Sequence, residues 1–169
     1  MRGADAVRAA DFDREWLRLI EQPSFLALDT LQEGAVPTLR AWRRQKFHLV
    51  LASMRRNRPN ARQQLGRLGI TELFDAMAFS RPDRGPEGKA ASVVSVVARR
   101  SSPGTWVGDT EADVTAARIG GFRSIAVTCG IRTRQRLSEL GPDLIVPRLA
   151  AIRPDQISPA ASDTSAPTR

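Results

Sequence analysis

Two aspartates four positions apart, Asp109 and Asp113, are the residues of this sequence whose type and spacing best suit chemistry. They lie in the segment W-V-G-D-T-E-A-D, where an apolar run is followed by a helical pattern. A carboxylate at the carboxyl end of a strand and a second one helical turn later can both point into the crevice at the strand ends. Magnesium prefers oxygen ligands of this kind, usually beside phosphate groups. The pair therefore predicts a site for Mg2+.

A simpler interpretation of the same pair stays open. Asp109 could be a helix N-cap and Asp113 a solvated acid of the first turn, because acidic side chains stabilise helix N-termini. Two further residues could bind an anion: Ser53 ends an apolar run, and Lys89 lies at a predicted helix start. Each also has an ordinary explanation, since a strand-end serine can satisfy a backbone amide and a helix-start lysine can be a surface cation.

Alternating strands and helices must position these residues. Apolar runs predict strands at residues 47–53, 76–79, 105–109 and 124–128. Helical patterns predict helices at residues 11–22, 34–42, 59–69, 89–98 and 110–121, with the valines of 89–98 directed inward. The alternation predicts an α/β fold: one Rossmann-like parallel sheet with helices on both faces.

The composition restricts the class of protein. With 169 residues, 41% of them hydrophobic, the chain is long enough for one domain with a substantial core. The net charge is +8, which would suit a polyanionic partner. However, Lys46 and Lys89 are the two lysines among 26 basic residues, and the arginines are scattered along the chain rather than clustered. We therefore expect no nucleic-acid partner.

The sequence also bears on location and on the chain's end. It contains no apolar run of 18 residues and no signal-peptide pattern, and Cys129 is the single cysteine. We expect a soluble, cytoplasmic protein with no membrane partner and no internal disulfide. Residues 153–169 are small and polar and include prolines, which predicts a disordered tail. The oligomeric state stays open.

Three segments carry a resemblance to a known family. They are G-D-T-E-A-D-V-T-A-A-R-I-G-G-F-R-S-I-A-V from Gly108 to Val127, V-L-A-S ending at Ser53, and G-K-A-A-S from Gly88 to Ser92. Over roughly residues 33–150 the chain resembles the haloacid dehalogenase-like (HAD) hydrolase superfamily, particularly its phosphoglycolate-phosphatase-like branch. The resemblance implies that Asp109 and Asp113 bind Mg2+, that the Ser53 hydroxyl hydrogen-bonds the phosphoryl group, and that Lys89 balances its charge.

The order of these residues separates two α/β families. Phosphoacceptor receiver domains also use aspartates, a hydroxyl and a lysine, but their acidic cluster comes first in the chain. Here Ser53 comes first, then Lys89, then Asp109 and Asp113. This order favours the hydrolase family, and the functional prediction depends on it rather than on the fold alone.

The family's opening motif, an apolar strand followed by Asp-x-Asp, has no clear counterpart. In the family the first aspartate attacks the phosphoryl group and the second acts as general acid and base. Asp11 and Asp13 have the right spacing, but they lie in a predicted amphipathic helix. Asp29 follows an apolar stretch, but Leu31 occupies the position of the acid. We therefore expect none of the three to be the nucleophile.

The missing motif shapes the predicted organisation. Residues 1–32 are interpreted as an N-terminal helical segment left from a cap, residues 33–152 as the HAD-like core. In the family the first strand lies between the strands that here end at Ser53 and Asp109, so its absence would expose two strand edges. Truncation, a sheet that closes up, and a strand supplied by a second polypeptide are three open alternatives.

These observations predict two functions of different class. The first is a magnesium-dependent phosphomonoester hydrolase of the HAD type acting on a small phosphorylated metabolite, either active, truncated or inactive. The alternative is a non-catalytic protein that keeps the crevice for anion, metal or partner binding. We expect His48 and Cys129 to be structural.

Overall fold

Strands and helices alternate along the part of the chain that the computed structural model describes, residues 11–12, 15–98 and 104–157. The strands are β1 (Val50–Ser53), β2 (Ala76–Phe79), β3 (Thr105–Gly108), β4 (Arg123–Val127) and β5 (Leu144–Val146). The helices are α1 (residues 15–20), α2 (Pro23–Leu26), α3 (Ala35–Arg44), α4 (Arg58–Arg67), α5 (Gly85–Val97), α6 (Glu111–Ile119), α7 (Arg134–Ser138) and α8 (Pro154–Ile157). No helix in these ranges is long and apolar enough to cross a membrane.

The strands form two parallel sheets rather than the single predicted sheet. β1 pairs with β2, with Val50 opposite Ala76 and Ser53 opposite Phe79. The second sheet has the order β3-β4-β5. Within the described residues, β1 and β3 each have a neighbouring strand on one side only. The α/β class with parallel strands is thus confirmed, and the break lies between the two strands that the family resemblance places on either side of its first strand.

Helix packing holds the two sheets together. α5 contacts β1, β2 and α6, and so it spans the break. The buried residues of this region form one core cluster that includes Ala78 of β2, Val93 of α5 and Trp106 of β3. Val50 and Ala52 of β1 pack against the same cluster. Side chains of both sheets are therefore buried in one hydrophobic core, although the strands of the two sheets do not pair.

Helices cover both faces of the second sheet. Ile125 and Val127 of β4 pack in a cluster with Leu39 and Trp42 of α3. Ala126, the residue between them, packs instead with Val114 of α6 and Leu137 of α7. This alternation follows from the period of two along a strand, which directs successive side chains to opposite faces. The predicted helices on both faces are therefore present.

The N-terminal segment is placed differently from the expected amphipathic helix. An amphipathic helix at residues 11–22 predicts an apolar face that includes Phe12 and Trp16, but 66% of Phe12 and 54% of Trp16 are exposed. Their rings stack on each other, with centroids 6.4 Å apart. The segment is attached by the polar contacts of Glu21 and Asn60 and by the buried side chain of Leu26. Residues 13–14 lie outside the described residues.

Several predicted boundaries also change. β1 begins at Val50 rather than at residue 47, and α5 begins at Gly85, because Pro86 suits the first turn of a helix. In α5 the inward prediction holds for Val93 but is wrong for Val94 and Val96, which are exposed.

The carboxyl-terminal part contains elements that the sequence patterns did not indicate. β5 and α7 were not predicted, because each has at most five residues. The predicted disordered tail begins too early, since residues 154–157 form the helical turn α8. The remainder of that segment, residues 158–169, lies outside the described residues.

Candidate functional site

The centre of the candidate site is an ion pair between Lys89 and Asp113. Lys89 lies in the first turns of α5 and Asp113 in the first turn of α6, the helices that follow β2 and β3. The Lys89 Nζ atom lies 2.6 Å from Asp113 Oδ1, and each side chain is only 10% exposed. A lysine and an aspartate are seldom buried to this extent unless they are paired. The pair therefore connects the two sheets at the carboxyl ends of their strands.

Asp113 accepts two further hydrogen bonds. The indole Nε1 of Trp106 donates to Oδ1 at 2.9 Å, and the Thr110 hydroxyl donates to Oδ2 at 2.6 Å. Burial by itself would raise the pKa of Asp113. The charge of Lys89 and the hydrogen bonds from Lys89, Thr110 and Trp106 outweigh burial, so the pKa lies below its ordinary value of 3.8. Both carboxylate oxygens thus have partners in the ionised form.

Asp109 contacts the loop that follows β4. Its Oδ2 accepts a hydrogen bond from the amide of Ile131 at 3.1 Å. A side chain at Gly130 would overlap the Asp109 carboxylate, so the loop after β4 packs closely against it. The helix N-cap is Thr110 rather than Asp109. The simpler interpretation of the pair therefore does not hold, because Asp109 is not the cap and Asp113 is buried rather than solvated.

Ser53 ends β1, as predicted from the sequence. Its Oγ accepts a hydrogen bond from the amide of Arg55 at 3.3 Å, which is the ordinary role of a strand-end serine. Its carbonyl accepts from the amide of Ser80 at 3.0 Å, so the end of β2 lies directly beside it. The hydroxyl hydrogen of Ser53 is not used by the Arg55 contact and can donate to an anion.

The four predicted site residues are only partly brought together. Lys89 and Asp113 are in direct contact, whereas the Ser53 hydroxyl contacts the loop after β1 and the Asp109 carboxylate contacts the loop after β4. In the described part of the chain, no group of three or more histidine, cysteine, aspartate or glutamate side chains could hold a metal ion. A cation at Asp113 would compete with Lys89. The described residues therefore offer at most two carboxylates, Asp109 and Asp113, and the other ligands of a Mg2+ ion would be water and phosphate oxygens.

Sequence reasoning missed a second charged cluster, next to the first. Glu111 accepts hydrogen bonds from Arg132 Nε at 2.8 and 2.9 Å and from Arg136 Nε at 3.3 Å. Its own backbone amide, followed by Arg132, lowers the pKa of Glu111 to about 2. An acid in the first turn of a predicted helix was visible in the sequence. Its partners were not, because they lie in the segment where no element was predicted.

The substitutes weighed for the missing nucleophile have other surroundings. Asp29 accepts hydrogen bonds from Arg55 at 3.2 Å and from Gln64, so it ties the N-terminal segment to α4. This agrees with the expectation that Asp29 has a structural role. Asp11 is exposed, and Asp13 lies outside the described residues.

The two remaining candidates have structural surroundings as expected. His48 Nδ1 lies 3.5 Å from Asp75, a residue that also accepts the amide of Leu49 before β1. Cys129 is partly buried against the core cluster that contains Trp42.

Comparisons with known proteins agree on one family. Residues 92–152 match the family model described as HAD-hydrolase-like. A phosphoglycolate phosphatase from Pseudomonas fluorescens is 27% identical over 149 residues, which cover 81% of this chain. The match covers 51% of the relative, so the chain spans about half the length of that curated protein.

Solved structures show the same fold. A protein described as a predicted phosphatase from Clostridium acetobutylicum superimposes with a TM-score of 0.60 at 25% identity, covering 69% of this chain and 55% of its own. A haloacid dehalogenase-like family hydrolase from Streptococcus pneumoniae gives a TM-score of 0.59 at 21% identity, covering 71% and 57%.

Proposed function

Since the chain belongs to the haloacid dehalogenase-like hydrolase superfamily, on its phosphoglycolate-phosphatase-like branch, we propose that it contributes the phosphoryl-binding part of a phosphomonoester hydrolase. The proposed substrate is a small phosphorylated metabolite. The buried ion pair between Lys89 and Asp113 is the observation that carries this proposal. It places a desolvated ammonium group at the carboxyl ends of parallel strands, where open α/β sheets bind their ligands.

Lys89 supplies positive charge for the phosphoryl oxygens. An ammonium group in a site with little water acts more strongly on an anion than it would in bulk solvent. Asp113 holds the Lys89 side chain in one position through a 2.6 Å contact. Trp106 and Thr110 in turn hold Asp113. The cation is therefore oriented before substrate arrives, and no rearrangement of long side chains opposes binding.

Ser53 supplies a neutral donor at the neighbouring strand end. Its Oγ accepts from the Arg55 amide, so the hydroxyl hydrogen can point to a phosphoryl oxygen. Arg55 in turn donates to Asp29 and to the carbonyl of Ile20, which fixes the loop after β1. The loop geometry thus supports a hydrogen bond from Ser53 to an anion.

Magnesium stays part of the proposal, with Asp109 and Asp113 as its protein ligands. A bound Mg2+ would neutralise negative charge on the phosphoryl oxygens. Because both oxygens of Asp113 have hydrogen-bond partners, direct binding there would require Lys89 to give up its contact. Asp109 has to exchange only the Ile131 amide at Oδ2. We therefore expect Asp109 to contribute more than Asp113 to the binding of the metal ion.

The covalent route needs an aspartyl nucleophile, and the described residues offer none with suitable surroundings. Asp29 is engaged by Arg55 and Gln64 in a contact that fixes the N-terminal segment. We therefore propose that Asp29 does not attack the phosphoryl group, and that neither Asp11 nor Asp13 does. Full turnover would then depend on a nucleophile outside the described part of the chain.

Hydrolysis of an aryl phosphate with and without Mg2+ tests the proposal. Mg2+-dependent turnover that is lost in Asp109→Asn supports a hydrolase. The matched control is Asp155→Asn, since Asp155 is an exposed aspartate on α8, and it should leave turnover unchanged. If turnover is lost when Asp11, Asp13 and Asp29 are replaced together, one of the three is required and the dependence on a nucleophile elsewhere is contradicted. A phosphorylated aspartate found by mass spectrometry among the described residues would contradict it as well.

Binding of inorganic phosphate gives a second readout that does not need turnover. Isothermal titration calorimetry should show weaker phosphate binding in Lys89→Met and Ser53→Ala than in the unaltered chain. Binding without turnover would favour the non-catalytic alternative. If the unaltered chain shows no phosphate binding and no turnover, the proposed function is contradicted.

A further inference from the structure

The hydroxyl of Ser80 is buried and has no hydrogen-bond partner in the described structure. Ser80 immediately follows β2 and is only 8% exposed. Its Oγ is one of two buried side-chain polar atoms without a partner among the described residues. Burying a hydroxyl without a partner is unfavourable, so such groups in native proteins call for a ligand, a water molecule or a functional explanation.

Ser80 lies beside the first turn of α5. Its amide donates to the Ser53 carbonyl at 3.0 Å, which fixes its position next to the end of β1. A Cβ atom at Gly88 would lie 4.0 Å from Ser80 Cβ and would overlap Arg84 Cβ. The Ser80 and Arg84 side chains thus meet over the same point of the helix. The Cβ atom of Arg84 is fixed by the backbone, and Arg84 as a whole is exposed.

The first turn of α5 can attract an anion. α5 has 13 residues, and the first amides of a helix have no partner within the helix and lie at the positive end of its dipole. Arg58 donates to the carbonyl of Phe79, next to Ser80, at 3.2 Å. Two acids are also near: Glu87 in the same turn, and Asp83, which pairs with Arg81 at 2.9 Å. Arg58 brings positive charge to this point in addition to the helix end.

We propose that Ser80 and the N-terminal turn of α5 form an oxyanion-binding site, in which the Ser80 hydroxyl donates to an oxygen of a phosphate-class anion. This inference rests on the proposed function only in naming the anion. The anion would be the same phosphoryl group that Ser53 and Lys89 are proposed to contact. Ser80 would then be a second hydroxyl donor beside Ser53, because it directly follows Phe79, the residue of β2 that pairs with Ser53.

Calorimetric titration with inorganic phosphate tests the inference in the full chain. Ser80→Ala should bind phosphate about tenfold more weakly or worse, because a hydrogen bond to a charged group is lost. Ser80→Thr keeps the hydroxyl and should restore most of the affinity. Ser95→Ala is the matched control, since Ser95 is an exposed serine on the same helix whose hydroxyl donates to the Ser92 carbonyl at 2.8 Å. It should bind as the unaltered chain does.

The outcomes separate this inference from the proposed function. Unchanged phosphate affinity in Ser80→Ala, with loss in Lys89→Met and Ser53→Ala, overturns the role of Ser80 and leaves the proposed function standing. Loss in Ser80→Ala alone supports the site at α5 and contradicts the roles of Lys89 and Ser53. No binding by the unaltered chain overturns both.

A folding defect in Ser80→Ala does not prevent the test. Removing an unsatisfied buried hydroxyl should leave the free energy of unfolding unchanged or raise it, so a stable variant is expected. The amide resonances of residues 85–89 in the unaltered chain provide an independent measurement. Phosphate should shift them in a saturable way, and shifts confined to other segments would overturn the inference.

Discussion

The carboxylate of Asp113 lies directly over Gly108, the last residue of β3, so that a Cβ atom on Gly108 would overlap Asp113 Cγ. The absence of a side chain at Gly108 is what allows Asp113 to reach Lys89, Trp106 and Thr110 together. Gly108, which directly precedes Asp109, therefore determines where the Asp113 carboxylate can lie.

Gly108→Ala should destabilise the protein by about 2 kcal/mol or more, because the buried Asp113 must shift and its hydrogen bonds cannot all be kept. Urea unfolding followed by circular dichroism measures the change. Gly66→Ala is the matched control: Gly66 lies in α4, the nearest atom to its added Cβ is 4.0 Å away, and alanine favours a helix. An equal effect of both substitutions would contradict the steric explanation.

Breaking the buried pair from one side should be costly. Lys89→Met leaves the Asp113 carboxylate buried without its cation, and we expect a loss of about 3–5 kcal/mol in the free energy of unfolding. Replacing both partners in Lys89→Met/Asp113→Leu should cost less than the sum of the single changes, because no uncompensated charge then remains. Additive single effects would show that the two residues act independently.

An exposed pair provides the control for this cycle. Arg81 and Asp83 lie 2.9 Å apart, but their side chains are 69% and 48% exposed. Arg81→Gln should change the free energy of unfolding by less than about 1 kcal/mol, because water already stabilises both charges. A larger loss there than in Lys89→Met would reverse the order of importance that burial predicts.

The pair also gives a pH dependence with a defined sign. The folded-state pKa of Asp113 lies below 3.8, despite burial, because of Lys89 and the three hydrogen bonds. The stabilisation is therefore fully present above the ordinary carboxyl pKa and is lost as pH falls through the lower folded-state value. In Lys89→Met, burial acts without the opposing charge and raises the pKa of Asp113, so this contribution should change sign.

Urea midpoints between pH 2.5 and 6 compare the two chains. The pKa values of Asp75 and Asp143 are also lowered, by hydrogen bonds involving Leu49 and Ser124 respectively, but they contribute to both chains alike. The difference between the chains should shrink as pH falls below about 4. A difference independent of pH would mean that Asp113 is not ionised in the folded protein.

The sequence predicted what depends on local pattern. The strands ending near Ser53 and Asp109 were found because a buried strand is a short apolar run. The helix α4 was found because Pro59 lies near its start and Gly69, which has a left-handed φ of 66°, follows its end. Ser53, Lys89 and the two aspartates were selected by type and order. The contacts of Lys89 could not be predicted, since its partner lies 24 residues away and depends on how α5 and α6 pack.

The break in the sheet and the exposure of Phe12 and Trp16 escaped the sequence for a common reason. Hydrophobic periodicity shows which face of an element is apolar, but it does not show whether a partner is there to cover that face. β1 and β3 have the apolar composition of central strands, yet among the described residues each is the edge of its sheet. Partner availability is a property of the folded chain as a whole.

The attachment of the N-terminal segment gives a last prediction. The Glu21 carboxylate is buried and accepts the amides of Arg56 at 2.8 Å and Asn57 at 2.7 Å, in the loop between β1 and α4. The Asn60 side chain donates to the Glu21 carbonyl at 2.9 Å. The carboxylate thus satisfies backbone amides just before α4, where a helix favours negative charge.

Glu21→Ala should release residues 15–32 from the core without unfolding it. Hydrogen exchange followed by mass spectrometry should show faster exchange in that segment and at residues 56–57, while β3 and β4 keep their protection. Glu15→Ala is the matched control, because Glu15 forms an exposed pair with Arg18 in the same segment and should leave exchange unchanged. If Glu21→Ala exchanges as the unaltered chain does, the segment is held mainly by Arg67, which donates to the carbonyls of Leu26 and Asp29.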